Sequence, residues 1–133
     1  MASAGEKTIL IVDDEPYNIA ILSELVSKYK IITAEGGQEA LLRVTNFTPD
    51  LILLDIMMPE MDGYEVAKRL KENPLTNSIP IIFVTAKSDV KSFIEGFEAG
   101  ADEYIMRPYN PKVVLQIVNS KLHSPDDSDV DDK

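Results

Sequence analysis

The sequence predicts a doubly wound α/β domain, a parallel five-stranded sheet with helices on both faces. Three observations predict it. Short apolar runs alternate five times with longer segments whose apolar residues recur at helical spacing. Three of the runs are continuous rather than alternating, as in strands buried on both sides of a parallel sheet. Helix breakers fall at the joints between the two kinds of segment.

The elements follow in order. Thr8 to Val12 (TILIV) is the first strand, and Ile19, Leu22, Leu25, Val26 and Tyr29 form the apolar stripe of the first helix. Ile31 to Ala34 is the second strand; Gly36 and Gly37 precede a helix carrying Ala40, Leu41 and Val44. Leu51 to Leu54 (LILL) is the third strand, and the third helix carries Tyr64, Ala67 and Leu70 before Pro74 stops it. Ile79 to Thr85 (IPIIFVT) is the fourth strand; Val90, Phe93, Ile94 and Phe97 mark a fourth helix closed by Gly100 as its C-cap. Glu103 to Met106 is the fifth strand, and Pro111 opens a last helix with Val114, Ile117, Val118 and Leu122 on one face. Each crossover is expected to be right-handed.

A chain of 133 residues with 44% hydrophobic and 27% charged residues fits one globular domain. No Cys is present, which excludes disulfides and thiol chemistry. No apolar stretch approaches the roughly 20 residues of a membrane span, and Met1 to Lys7 lacks the apolar segment of a signal peptide, so a cytoplasmic location without membrane contact is expected. The 23 acidic against 13 basic residues, a formal charge of -10, argue against this domain itself gripping a nucleic-acid backbone. Part of that charge lies in residues 124–133 (SPDDSDVDDK), which carry five Asp and almost nothing apolar and read as a disordered acidic tail or linker. Residues 1–6 read as a flexible lead-in, leaving 7–123 as the domain.

In an open α/β sheet, ligands bind beyond the carboxyl ends of the strands. The first strand ends in Asp13 and Asp14, the third in Asp55, the fourth in Thr85 and Ala86, and the fifth runs into Arg107 and Pro108. One of the paired aspartates is expected to cap the helix beginning near Pro16. Three carboxylates at one crevice repel one another, however, and a hard divalent cation such as Mg²⁺ resolves that repulsion. Asp55 can then act as a nucleophile that accepts a phosphoryl group, its charge neutralised by the metal, the Thr85 hydroxyl and Arg107. An already ionised carboxylate needs no general base.

Asp13-Asp14, Asp55 with Met57 to Gly63 (MMPEMDG), Thr85-Ala86, Gly100-Ala101-Asp102 and Arg107-Pro108 resemble the receiver domain of two-component response regulators, from about Lys7 to Leu122. The resemblance implies a flavodoxin-like (βα)5 fold with strand order 2-1-3-4-5. It implies that Asp55 is phosphorylated by a histidine kinase or histidine phosphotransfer protein. Mg²⁺, with Mn²⁺ as a substitute, would be held by Asp14, Asp55 and the main-chain carbonyl of Met57, with Asp13 acting mainly through water. Thr85 and Ala86 would contact the phosphoryl group, Tyr104 would report it to the face made by the fourth helix, fifth strand and fifth helix, and a homodimer can form through that face. Met57 and Lys87 would occupy the positions that tune the lifetime of the acyl phosphate.

Arg107 stands where that family carries Lys, and the two cations are not interchangeable at a tight site. A surface ion pair is one reading of Arg107, and an altered phosphoryl contact is the one favoured here. The substitution is also the sole sequence argument for the alternative that this chain is a pseudo-receiver, a binding module indifferent to phosphorylation. An Asp-nucleophile phosphatase would want a second carboxylate where Met57 stands, and nucleotide binding would want a Gly-rich first turn; neither is present. The expectation is therefore a signalling domain whose only chemistry is self-catalysed phosphoryl uptake on Asp55 and its hydrolysis.

Overall fold

The computed structural model describes residues 6–123. Most of the lead-in, residues 1–5, and the acidic segment 124–133 lie outside the described residues. Ten elements alternate: β1 (Thr8–Val12), α1 (Pro16–Leu25), β2 (Lys30–Ala34), α2 (Gly37–Phe47), β3 (Leu51–Leu54), α3 (Gly63–Glu72), β4 (Ile81–Thr85), α4 (Val90–Glu98), β5 (Glu103–Met106) and α5 (Pro111–Leu122). The strands form one parallel sheet in the order β2-β1-β3-β4-β5. This is the flavodoxin-like topology expected from the sequence.

Alternate residues of the central strands supply two cores. Leu10, Val12, Ile52, Leu54, Ile81 and Phe83 face α2 and α3, where Ala40, Val44, Val66, Ala67 and Leu70 cover them. Ile9, Ile11, Leu51, Leu53, Ile82 and Val84 face α1 and α5, under Leu22, Val26, Val114 and Val118. Burial on both sides explains why these strands read as unbroken apolar runs.

Three boundaries differ from expectation, the smallest being β2, which begins at Lys30, one residue before Ile31. β4 begins at Ile81 rather than Ile79, because Pro80 has no N–H to give to a ladder, although its carbonyl accepts from the Ile52 amide at 3.0 Å. α1 stops at Leu25, yet the apolar stripe continues: Val26 and Tyr29 stay buried in the turn that follows. Tyr29 Oη donates to Asn119 Oδ1 and lies 3.2 Å from His123 Nε2, tying the start of β2 to the end of α5. Gly100 follows the α4 C-cap at φ 116°, with its amide and that of Ala101 closing on Phe97 and Gly96 carbonyls. Among the described residues no helix is long and apolar enough to cross a membrane.

The register aligns Val12 with Leu54 and Thr85 with Met106, so those four strand ends lie at one rim. Ladder hydrogen bonds continue one residue past the strands: the Asp13 amide donates to the Ala34 carbonyl (3.1 Å), Asp55 to Val12 (2.9 Å) and Arg107 to Thr85 (2.8 Å). The backbone of each of these three side chains is thereby fixed by the sheet itself.

Candidate functional site

Asp13, Asp14 and Asp55 each offer a carboxylate oxygen, and those oxygens lie within 4.8 Å of one another. Asp13 and Asp55 are buried and Asp14 is half-buried at the rim. Neither member of the Asp13-Asp14 pair caps α1. Glu15 takes the N-cap position and makes no side-chain cap, while Asp13 Oδ1 accepts from the Glu15 amide at 2.9 Å. The paired acids face the crevice because the turn between β1 and α1 is too short to carry them onto the helix.

Arg107 reaches into this cluster. Its Nη2 donates to Asp13 Oδ2 at 2.6 Å, and its Nη1 lies 3.9 Å from Asp55 Oδ1. The ion pair anticipated as one reading of Arg107 is formed, and its acid is the buried Asp13 rather than a surface residue. The Arg107-Pro108 peptide bond is cis.

Asp55 holds its proton more tightly than an ordinary aspartate. Burial is the first cause and the neighbouring charge of Asp13 the second; the Thr85 hydroxyl, the Arg107 cation and the Met57 amide oppose them without cancelling them. Thr85 is fully buried, and its Oγ1 lies 3.4 Å from the Lys87 amide. Ala86 is exposed beside it. The Met57 amide leans on Asp55 Oδ1 at 3.4 Å, and the Met57 side chain is 55% exposed, so it stands clear of the acids and open to incoming groups. Lys87 and Met57 line, with Asp14, Tyr64 and Ser92, a groove of about 690 Å³ that opens beside the acids.

Tyr104 sits behind this rim. Its hydroxyl donates to the Lys87 carbonyl at 2.9 Å, and its ring meets Phe83 and Phe93 edge-on at 6.1 and 5.4 Å between centroids. Burial is the leading cause that pushes the phenol up to about 12. The structure thus places Asp13, Asp14, Asp55, Thr85, Lys87 and Arg107 around one crevice, with Tyr104 touching it through Lys87.

Sequence reasoning named Gly63 only as the end of the MMPEMDG run and gave it no role; it seats the start of α3 against the Asp55 backbone, and its amide donates to the Ile56 carbonyl at 2.9 Å. The Asp62-Gly63 pair directly before a helical stripe was the available signal, since Asp62 caps α3 by accepting from the Glu65 amide at 3.0 Å. It also missed Tyr64, whose hydroxyl donates to the Ser92 carbonyl at 3.1 Å and whose ring packs on Phe83, because an aromatic on a helical stripe reads as plain core.

The donor set fits a hard cation. All three side chains are carboxylates, the oxygens are close enough to share one ion, and a single Arg leaves the cluster net negative.

The response regulator receiver domain model matches residues 9–119. The chain is 44% identical over 128 residues to the phosphate regulon transcriptional regulatory protein PhoB of Pseudomonas aeruginosa, covering 92% of this chain and 56% of that protein. It is 44% identical over 125 residues to a Vibrio cholerae protein named "Probable cyclic di-GMP phosphodiesterase", covering 93% of this chain and 27% of that one. Among solved structures, the signal receiver domain of a signal transduction histidine kinase from Syntrophus aciditrophicus superposes with a TM-score of 0.82 at 35% identity, covering 87% of this chain and 89% of that one. The chain therefore spans well under two thirds of the two curated relatives.

Proposed function

This chain belongs to the response regulator receiver domains of two-component systems, and from that membership we propose that Asp55 takes a phosphoryl group from the phosphohistidine of a histidine kinase or histidine phosphotransfer protein. The observation that carries the proposal is the convergence of three carboxylates just beyond the ends of β1 and β3, two of them within ion-pair reach of one guanidinium. In the transfer, an Asp55 oxygen forms the new bond to phosphorus as the phosphorus–nitrogen bond breaks and its electron pair returns to the imidazole.

Asp14, Asp55 and the Met57 carbonyl would hold Mg²⁺, with Mn²⁺ able to replace it and Asp13 acting through water. The bound ion would neutralise charge that gathers on the phosphoryl oxygens. Arg107 supplies cationic charge from the Asp13 side, and the buried Thr85 hydroxyl and the Ala86 amide offer donors from β4. Exposed Met57 and half-buried Lys87 flank the path that water must take to the acyl phosphate, and so set its lifetime.

The output reading rests on Tyr104, whose hydroxyl holds the Lys87 carbonyl two residues past Thr85. The face beyond it carries half-exposed Phe93, Ile94, Phe97 and Met106, an apolar surface on α4 and β5 suited to a protein partner or a second copy of the chain. Direct nucleic-acid binding is not part of the proposal.

The test is chemical. With Mg²⁺ and a small acyl phosphate donor, the intact chain is expected to gain one phosphoryl group by mass, and Asp55→Asn to gain none. Labelling of Arg107→Lys under conditions that leave the parent bare would instead identify a pseudo-receiver.

A further inference from the structure

We propose that Gly96 is the seat of Tyr104: its missing side chain is what lets the Tyr104 ring lie inward, with its hydroxyl on the Lys87 carbonyl. The inference rests on the switch role proposed above for Tyr104 but concerns a residue on a different element. Gly96 is buried in the last turn of α4, still inside the helix, where glycine weakens it and calls for a packing reason. The reason is a close approach. A Cβ at this position would lie 2.9 Å from Tyr104 Cδ2, 3.1 Å from Cε2 and 3.2 Å from Phe83 Cδ2.

Of these contacts the Tyr104 ring is the one that must give. Phe83 is fully buried in the sheet, wedged between Tyr64 and Tyr104, and can yield by only a few tenths of an ångström. Tyr104 is half-buried at the sheet edge and can turn outward about its first side-chain bond. Phe83 and Phe93 flank the ring, so no small sidestep is open. Turning out removes the 2.9 Å hydrogen bond to the Lys87 carbonyl and releases the segment whose Lys87 amide lies 3.4 Å from Thr85 Oγ1. Gly96 is therefore a positioning residue, acting on the site through Tyr104 and the Thr85–Lys87 segment.

Nuclear magnetic resonance on the full chain tests this. In Gly96→Ala, the ring contacts of Tyr104 with Phe83 and Phe93 are expected to vanish, and the amide signals of Thr85 and Lys87 to move. In a Tyr104→Ala background, the same substitution is expected to leave those two amides in place, because no ring remains to displace. Survival of both ring contacts in Gly96→Ala overturns the proposal, as does an equal movement of the amides in both backgrounds. Should Gly96→Ala fail to fold, folding of the double variant supports the proposal, and failure of both overturns it by assigning the clash to Phe83. A parent chain that takes no phosphoryl group would sink the functional reading while leaving these outcomes readable.

Discussion

Arg107 and Asp13, 94 residues apart in sequence, meet at 2.6 Å with the acid 1% exposed, and the other arm of the same guanidinium lies 3.9 Å from Asp55. One cation thus spans two of three crowded acids. Arg suits this bridge because its planar fork presents two nitrogens at once, where a Lys ammonium would have to choose. Removing one partner of a buried pair leaves an uncompensated charge. Arg107→Ala is expected to lose about 3 kcal/mol of folding stability, measured by urea denaturation without divalent ions. The loss should shrink when Mg²⁺ is added and in the double variant with Asp13→Asn, and Arg107→Lys should fall between Ala and the parent. A loss unchanged by Mg²⁺ would mean that the cation and the metal do not share these acids.

Asp55 supplies a pH signature. Its proton affinity is raised in the fold, burial first and Asp13 second, so the native state binds this proton more tightly than the unfolded chain does. The ionised form is thus penalised on folding, the penalty being complete above the raised native value and vanishing as pH falls through it toward the ordinary aspartate value of 3.8. Asp55→Asn cannot ionise and should be more stable than the parent at neutral pH, with the gain fading as pH is lowered through that window. Denaturation midpoints of the two proteins across pH check this, and a gain independent of pH would assign it to packing rather than charge.

The strands were legible because burial on both faces leaves a mark that single residues carry, and Asp13, Asp14 and Asp55 were legible because chain order alone puts them at strand ends. What was not legible depends on distance in the fold. That Arg107 meets Asp13 and not a surface acid follows from the pairing of β1 with β3, β3 with β4 and β4 with β5, which brings ends far apart in sequence to one rim. The expected α1 cap failed because the turn between β1 and α1 puts Glu15, not an aspartate, at the first helical joint. Gly63 and Gly96 matter for what their absent side chains would strike, and a sequence does not show the neighbour across a gap.

Metal binding should appear as stability. Asp14 is the most exposed of the three acids and sits at the mouth of the groove, so it is the carboxylate an entering cation would meet first. A ligand that binds only the native state stabilises it, by about 2.7 kcal/mol at roughly a hundred times its dissociation constant. Mg²⁺ titrated into the parent is expected to raise the denaturation midpoint along that curve, and Asp14→Ala to require a much higher concentration for the same rise. Titration calorimetry measures the affinity directly; an Asp14→Ala variant that binds as tightly as the parent removes Asp14 from the ligand set.

Gly63 tests how rigidly the backbone beneath Asp55 is held. A Cβ there would lie 2.3 Å from the Asp55 carbonyl oxygen and 2.8 Å from Ile56 Cα, contacts with main chain that no rotamer change relieves. The segment cannot swing away without breaking both the Gly63–Ile56 hydrogen bond at 2.9 Å and the ladder bond from the Asp55 amide to Val12. Gly63→Ala is therefore expected to cost about 2 to 3 kcal/mol, the usual penalty of overpacking. Because the displaced atoms carry Asp55, phosphoryl uptake should slow in the fraction that remains folded. Gly36→Ala, at the N-cap of α2, is the comparison: its Cβ would meet nothing within 4 Å, and its extended φ of -169° suits any residue, so it should change stability by less than about 1 kcal/mol. Equal costs at the two positions would show that helix-start propensity, not the close approach to Asp55, accounts for both.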